Sequence, residues 1–352
     1  MRTLNAQERP ILPSATQKRT KTRIVILMLL SIGTMINYLD RTILGIVAPK
    51  LTSEIHIDPA MMGIVFSAFA WTYALAQIPG GMFLDRFGNK LTYALSIFFW
   101  STFTLLQSFS VGLKSLLLLR LGLGISEAPC FPVNSRVVSK WFPQHERARA
   151  TATYTVGEYI GLAAFSPLLF LILEHHGWRT LFFLTGGLGI AFTFVWWKFY
   201  HEPHQSKTAN KAELEYIGVE NTASADENIP FNWPDAKRLL CCRQIIGASL
   251  GQFAGNTTLV FFLTWFPTYL ANERHLPWLH VGFFASWPFL AAAIGIFFGG
   301  WVSDKILKKT CSVNISRKLP IISGLLLSSG IIIANWVESN TAVIIIMSIR
   351  SE

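Results

Sequence analysis

Asp40 and Arg41 stand side by side inside an apolar stretch that runs from about Ile24 to Val47. A charged side chain at bilayer depth costs at least about 2.5–3.5 kcal/mol, so such groups usually face a cavity and mark a substrate or proton path. Arg120, Glu127 and Glu158 interrupt later apolar runs in the same way. Arg120 and Glu127 are seven residues apart, about two helical turns, and so share a helix face. Asp40 and Arg41 are neighbours and point about 100° apart around their helix, so they cannot address one point. A guanidinium grips a carboxylate with two parallel hydrogen bonds, which makes Arg41 the candidate for the carboxylate of a substrate. Carboxyl groups in a dry cavity near arginines can switch between paired and protonated states, which suits Asp40 and Glu127 to proton coupling. One arrangement puts Asp40 toward Arg120 and leaves Arg41 toward the cavity. The competing reading is structural: buried ion pairs that only hold helices together.

The chain that must position these groups has 352 residues, 51% of them hydrophobic and only 14% charged. Soluble domains carry about 25% charged residues, so the composition is that of an all-α polytopic membrane protein. A net charge of +10 might suit nucleic acid, but the basic residues cluster in alternate loops between apolar runs. No nucleic-acid partner is expected. A spanning helix needs about 20 mostly apolar residues. Nine segments qualify, at 24–47, 61–83, 92–111, 115–137, 150–173, 178–200, 244–271, 281–302 and 319–338, and a tenth starts near Thr341 and stops at Glu352, short of a span. The N-terminal tail and alternate loops hold 23 Lys and Arg, whereas the other loops hold only Lys50, Lys114, Arg179 and Arg274. Excess Lys and Arg mark the cytoplasmic side, so the N-terminus is expected inside.

The segments group into a cytoplasmic tail (1–23), a six-helix bundle (24–200), a polar cytoplasmic linker (201–243) and a partial second bundle (244–352). Gly81-Met-Phe-Leu-Asp85-Arg86-Phe-Gly88-Asn-Lys90 follows the second segment, and Gly300-Trp-Val-Ser-Asp304-Lys305 follows the eighth. A motif repeated one bundle later is what a transporter built from two similar halves should carry. In it Gly81 would allow close helix contact, Asp85 can cap a helix or pair with a base, and Arg86 can meet a helix C-terminus. Cys130, Cys241, Cys242 and Cys311 have no metal or disulfide spacing. No metal, cofactor or enzyme constellation is expected, and nothing beyond generic helix packing marks an oligomer, so the chain reads as a monomer in a bilayer.

The Gly81–Lys90 loop resembles the loop signature of the major facilitator superfamily. A narrower resemblance rests on Asn37-Tyr38-Leu39-Asp40-Arg41, Arg120-Leu-Gly-Leu-Gly-Ile-Ser-Glu127-Ala-Pro129, Trp141-Phe-Pro143 and Phe262–Leu270. These look like the anion:cation symporter branch, whose members move galactonate, glucarate or hexuronates with protons across the cell inner membrane. The resemblance implies a twelve-helix major facilitator fold, beside which this chain stops within the tenth helix. It implies that Arg41, Tyr38 and Tyr73 line the substrate site, that Asp40 and Glu127 take up protons with Arg120 tuning them, and that the Gly81, Asp85, Arg86, Gly88 loop, with Asp304 in its second copy, governs conformation. Glu158 could accept from sugar hydroxyls, add a proton site, repel a dianion, or pair with Arg120 or Arg41. Gln252 and Asn256, four apart on one face, are candidates for substrate hydroxyls or for an interhelical hydrogen bond. Gly247, Gly251 and Gly255, like Gly157 and Gly161, read as a seam for close helix packing. The alternatives are a symporter of another organic anion, such as an aromatic carboxylate, tartrate or a phosphate ester, and a truncated, non-transporting membrane protein.

Overall fold

The computed structural model describes residues 18–218, 232–310 and 312–329. Most of the expected tail, residues 219–231 of the linker, the end of the ninth segment and the start of the tenth lie outside these. The described residues are helical, without a strand. Helix α1 spans Thr22–Ile55. A 49-residue run, Pro59–Gln107, is broken at Gly88 (φ 78°, ψ 174°), a backbone conformation open to glycine and almost closed to residues with a Cβ. It separates α2 (59–87) from α3 (89–107). The chain reverses there, because both halves run along α4 (Leu113–Trp141). Gly80 packs on Pro129 while Tyr93 sits beside Cys130, and Gly124 meets Phe69 and Tyr73 while Gly122 meets Phe103.

A second reversal occurs at Gly177 (φ 77°, ψ 172°), which splits the run Gln144–Phe199 into α5 (144–176) and α6 (178–199). Gly161 of α5 packs on Met35 and Gly189 of α6 on Ser101 and Ile36, so the two halves flank α1. Helix α7 covers Arg243–Thr264 and continues in short helical turns to Glu273. Helix α8 comes in two pieces, Trp278–Ala285 and Trp287–Thr310, and α9 covers Val313–Ser329. Pro59 opens α2 at a position where its missing N–H costs nothing.

The two bundles touch at the end that bears the turn at His56. There Gly45 of α1 packs on the Leu263 carbonyl, Phe66 of α2 meets Trp265 edge-on with centroids 5.4 Å apart, and Gly282 of α8 packs on Phe170. Toward the other end α7 separates from its neighbours. A Cβ added at Gly247, Gly251 or Gly255 would meet no described atom within 4 Å. The expected close-packing seam is therefore not formed among the described residues. Taken over the described residues, the bundles are closed together at the His56 end and apart at the linker end.

The linker is not the featureless tether its composition suggests. Its helix Lys211–Ile217 is docked on the start of α1 through Glu213, which is fully buried. The Glu213 carboxylate accepts the backbone N–H groups of Thr22 (3.2 Å) and Arg23 (3.1 Å) and the Thr20 hydroxyl, so a residue about 190 positions away satisfies orphan donors at the N-terminus of α1. Asn210 caps its own helix through the Glu213 N–H and donates to the Lys18 carbonyl at 2.8 Å. Tyr216 lies under Arg19 and Arg23 and donates to Glu146 of α5 at 2.7 Å; Glu146 also pairs with Arg23 at 2.7 Å. This network ties α1, α5 and the linker together at one end.

Candidate functional site

Between the bundles lies a cavity of about 620 Å³. Helix α1 supplies Tyr38 and Arg41 to its wall, α2 supplies Phe66, Phe69 and Tyr73, α4 supplies Arg120 and Phe131, and α7 supplies Gln252, Asn256 and Leu263, with Trp265 beyond. The wall from the first bundle is cationic and aromatic, and the wall from α7 carries amides and apolar groups. Gln252 and Asn256 also line a smaller cavity of about 200 Å³ against Tyr159 and Phe289. Across four residues the Gln252 amide reaches toward the Asn256 oxygen at 3.5 Å.

Arg41 projects from α1 toward α4. Glycines 122 and 124 thin α4 enough for Phe103 and the backbone of Phe69 and Tyr73 to approach. At the end of the same helical stretch Glu127, wholly buried, forms a direct ion pair with Arg41. The guanidinium is also stacked among the rings of Tyr38 (4.9 Å), Phe69 (5.2 Å) and Tyr73 (4.8 Å). Cation–π contacts of this kind hold an arginine in place while leaving its edge available. Arg120, 2% exposed, also lies 5.2 Å from the Phe69 ring centre, and its Nε and one terminal nitrogen have no hydrogen-bond partner. An unpartnered buried donor is costly, and both donors lie on a residue that lines the cavity.

The arrangement differs from the expected one at Asp40. Asp40 neither lines the cavity nor pairs with Arg120. It is buried behind Arg41 against Trp100 and Thr104 of α3, and neither carboxylate oxygen has a hydrogen-bond partner. The 100° offset from Arg41 turns it toward α3 rather than α4, and spacing along one helix could not say which neighbour would stand there. Glu127 likewise meets Arg41, not Arg120, although Glu127 and Arg120 share a helix face. Glu158, 3% exposed, sits on α5 behind the wall, beside Tyr38 and Arg41.

At the end of α2, Asp85 pairs with Arg136 of α4 at 2.8 Å, and the Arg86 guanidinium lies 5.4 Å from the Phe87 ring centre. A Cβ added at Gly81 would meet no described atom within 4 Å outside its own helix; the close contact belongs to Gly80. Gly88 provides the reversal itself. Asp304 lies within α8, and its side chain is outside the described residues. Phe69 and Thr104 were not among the expected site residues, and Trp100, a candidate for stacking on a sugar ring, lies against Asp40 instead. Phe69 was findable, because it precedes Tyr73 by one helical turn; Thr104 carried no such signal.

Two helical bundles closed at one end around a central cavity lined by two arginines have the architecture of a transporter. Residues 30–351 match the family model described as Major Facilitator Superfamily, and the chain belongs to that superfamily of transporters; it is not an enzyme. It is 44% identical over 345 residues to a D-galactonate transporter of Escherichia coli O6:H1, covering 96% of this chain and 80% of that protein. It is 43% identical to a probable galactarate/D-glucarate transporter of Bacillus subtilis, covering 94% and 76%, and 32% identical to a hexuronate transporter of Bacillus subtilis, covering 89% and 72%. Among solved structures it resembles the xylose transporter XylE from E. coli (TM-score 0.68, 12% identity, 94% of this chain and 84% of that one). It also resembles a bacterial homolog of the human lysosomal transporter Spinster (TM-score 0.67, 22% identity, 94% and 72%).

Proposed function

We propose that this chain moves a sugar acid, a hexonate, hexuronate or aldarate, across the bacterial inner membrane together with protons, as a monomer with its N-terminus in the cytoplasm. The observation that carries the reading is the cavity wall on which Arg41 and Arg120 flank one aromatic shelf while Gln252 and Asn256 face them. Arginines suit a carboxylate, and amides suit hydroxyls. The names borne by the relatives, galactonate, galactarate/glucarate and hexuronate transporters, agree with that chemistry.

The mechanism follows from the pairing. Arg41 is occupied by Glu127 when no substrate is present. An incoming carboxylate competes for the guanidinium, and a proton on Glu127 releases it. Asp40, buried behind Arg41 without a hydrogen-bond partner, is the second proton carrier, and Arg120 supplies the positive field that both feel. Tyr38 and Tyr73 hold Arg41 in register; Glu158 orients Tyr38. With the N-terminus inside, the end closed by Gly45, Trp265 and Phe170 faces outward, so the state described is open to the cytoplasm. The Gly81, Asp85, Arg86, Gly88 loop and its second copy at Asp304 would latch the bundles when the cytoplasmic side closes.

The test is uptake of a panel of labelled sugar acids into proteoliposomes, with and without an inward proton gradient. Gradient-dependent accumulation of at least one sugar acid is expected. Accumulation of none, by correctly inserted protein, sinks the reading.

A further inference from the structure

The second linker helix, Trp233–Leu240, is built unlike the first. Helix Lys211–Ile217 is pinned by buried hydrogen bonds, whereas Trp233, Leu239 and Leu240 are 69%, 59% and 64% exposed. Trp233, Ala236 and Leu240 recur at the spacing of one helix face, and Leu239 widens it. Lys237 flanks that face, and Arg238 lies across the helix from it; both are exposed. An eight-residue helix with an outward apolar stripe and basic flanks is out of place in water and suited to an interface.

Its place in the chain selects the interface. The helix is capped at Cys241, and α7 starts at Arg243. Three residues reach at most about 10–11 Å, so Leu240 cannot stand far from where α7 enters the bilayer. Arg243 adds a third exposed basic residue at that level. Anionic headgroups are the partner whose charge complements Lys237, Arg238 and Arg243 and whose acyl boundary covers the leucines and tryptophan.

We propose that Trp233–Leu240 is an anionic-lipid-binding anchor, lying in the headgroup layer at the linker end of α7. It fixes the depth of the second bundle in that leaflet while the first linker helix fixes the other end of the linker to the first bundle. The anchor is independent of which solute the central cavity takes.

The experiment places an environment-sensitive fluorophore on the full chain in nanodiscs, with Cys241, Cys242 and Cys311 replaced by Ser and the label carried by Ala236→Cys on the apolar face. A second protein keeps Cys241 as its label site at the polar edge. Quenching by shallow spin-labelled lipid is compared in phosphatidylcholine alone and with phosphatidylglycerol added. The Ala236 site is expected to be quenched more than the Cys241 site, and more strongly with the anionic lipid. Each of Lys237→Glu and Arg238→Glu is expected to weaken docking about fivefold, and salt is expected to reverse it. Equal access of both sites to aqueous iodide in both lipid mixtures would overturn the proposal. So would shielding of the Ala236 site that persists in detergent without lipid, since a protein surface would then be the cover.

Discussion

Arg41 of α1 and Glu127 of α4 form a direct ion pair, with the carboxylate wholly buried and the guanidinium stacked on three aromatic rings. A pair that is dry on one side and lines a cavity on the other is a competitor for whatever anion enters. Glu127→Gln removes the competitor and leaves the arginine. Substrate binding by that variant is expected to equal or exceed that of the unmodified chain, while gradient-driven accumulation is lost. Calorimetric binding and proteoliposome uptake check the two halves separately. Weakened binding would mean that Glu127 holds Arg41 in its productive place rather than occupying it.

Arg41→Ala is the reciprocal case and should behave differently. It strands Glu127 in the core without its cation, and breaking a buried pair from one side costs about 3–5 kcal/mol. The expected result is a lower melting temperature together with loss of substrate binding. Arg41→Lys should recover stability better than binding, because an ammonium is a point charge without the planar fork. If Lys restores both equally, two-point recognition of a carboxylate is not what Arg41 does.

Asp40 presents a cleaner test of coupling, since no ion pair among the described residues is broken when it changes. Asp40→Asn removes a titratable group at nearly constant volume. Exchange of labelled for unlabelled substrate down no gradient should persist, and uphill uptake driven by a proton gradient should vanish. Uphill uptake that survives would assign the coupling proton elsewhere.

Asp40 also shows where the sequence stopped being informative. Long apolar runs and basic loops were enough for a polytopic helical protein, because the bilayer leaves a spanning segment few alternatives to a helix. Intramembrane charges pointed to two residues, Arg41 and Arg120, that line one cavity, because such charges are too costly to place idly. Which charge meets which was not legible. That depends on helix neighbours, and Trp100 and Thr104 reach Asp40 from a helix some sixty residues further on. The contact attributed to Gly81 fell instead at Gly80, since one residue turns a helix by about 100°. The role of Glu213 was hidden for the same reason. Nothing in a polar linker announces that one of its acids will cap a helix 190 residues earlier.

Glu213→Ala tests that cap. It leaves two backbone N–H groups and a hydroxyl at the start of α1 without their acceptor, and unsatisfied groups of this kind cost about 1–3 kcal/mol. The melting temperature in detergent is expected to fall, and cleavage by protease in the linker beside the helix Lys211–Ile217 to rise. Substitution of the exposed Glu215 in the same helix should change neither. If Glu213→Gln retains most of the stability, hydrogen bonding rather than charge is the dominant contribution.

Gly45 carries the last prediction, because it marks where the bundles close. A side chain there would run into the Leu263 carbonyl of α7, whereas one at Gly247 would meet no described atom within 4 Å. Overpacking a fitted contact costs about 1–3 kcal/mol, and about 1.4 kcal/mol is already tenfold in an equilibrium. Gly45→Leu is therefore expected to shift the protein away from the state closed at the His56 end, and Gly247→Leu to leave that equilibrium unmoved. Spin labels at Ser53 and Asn272, both exposed at that end, report the difference as a longer distance in the first variant alone. The same distance in both would show that closure does not depend on Gly45, and the contacts of Phe66 with Trp265 and of Phe170 with Gly282 would then have to hold that end shut by themselves.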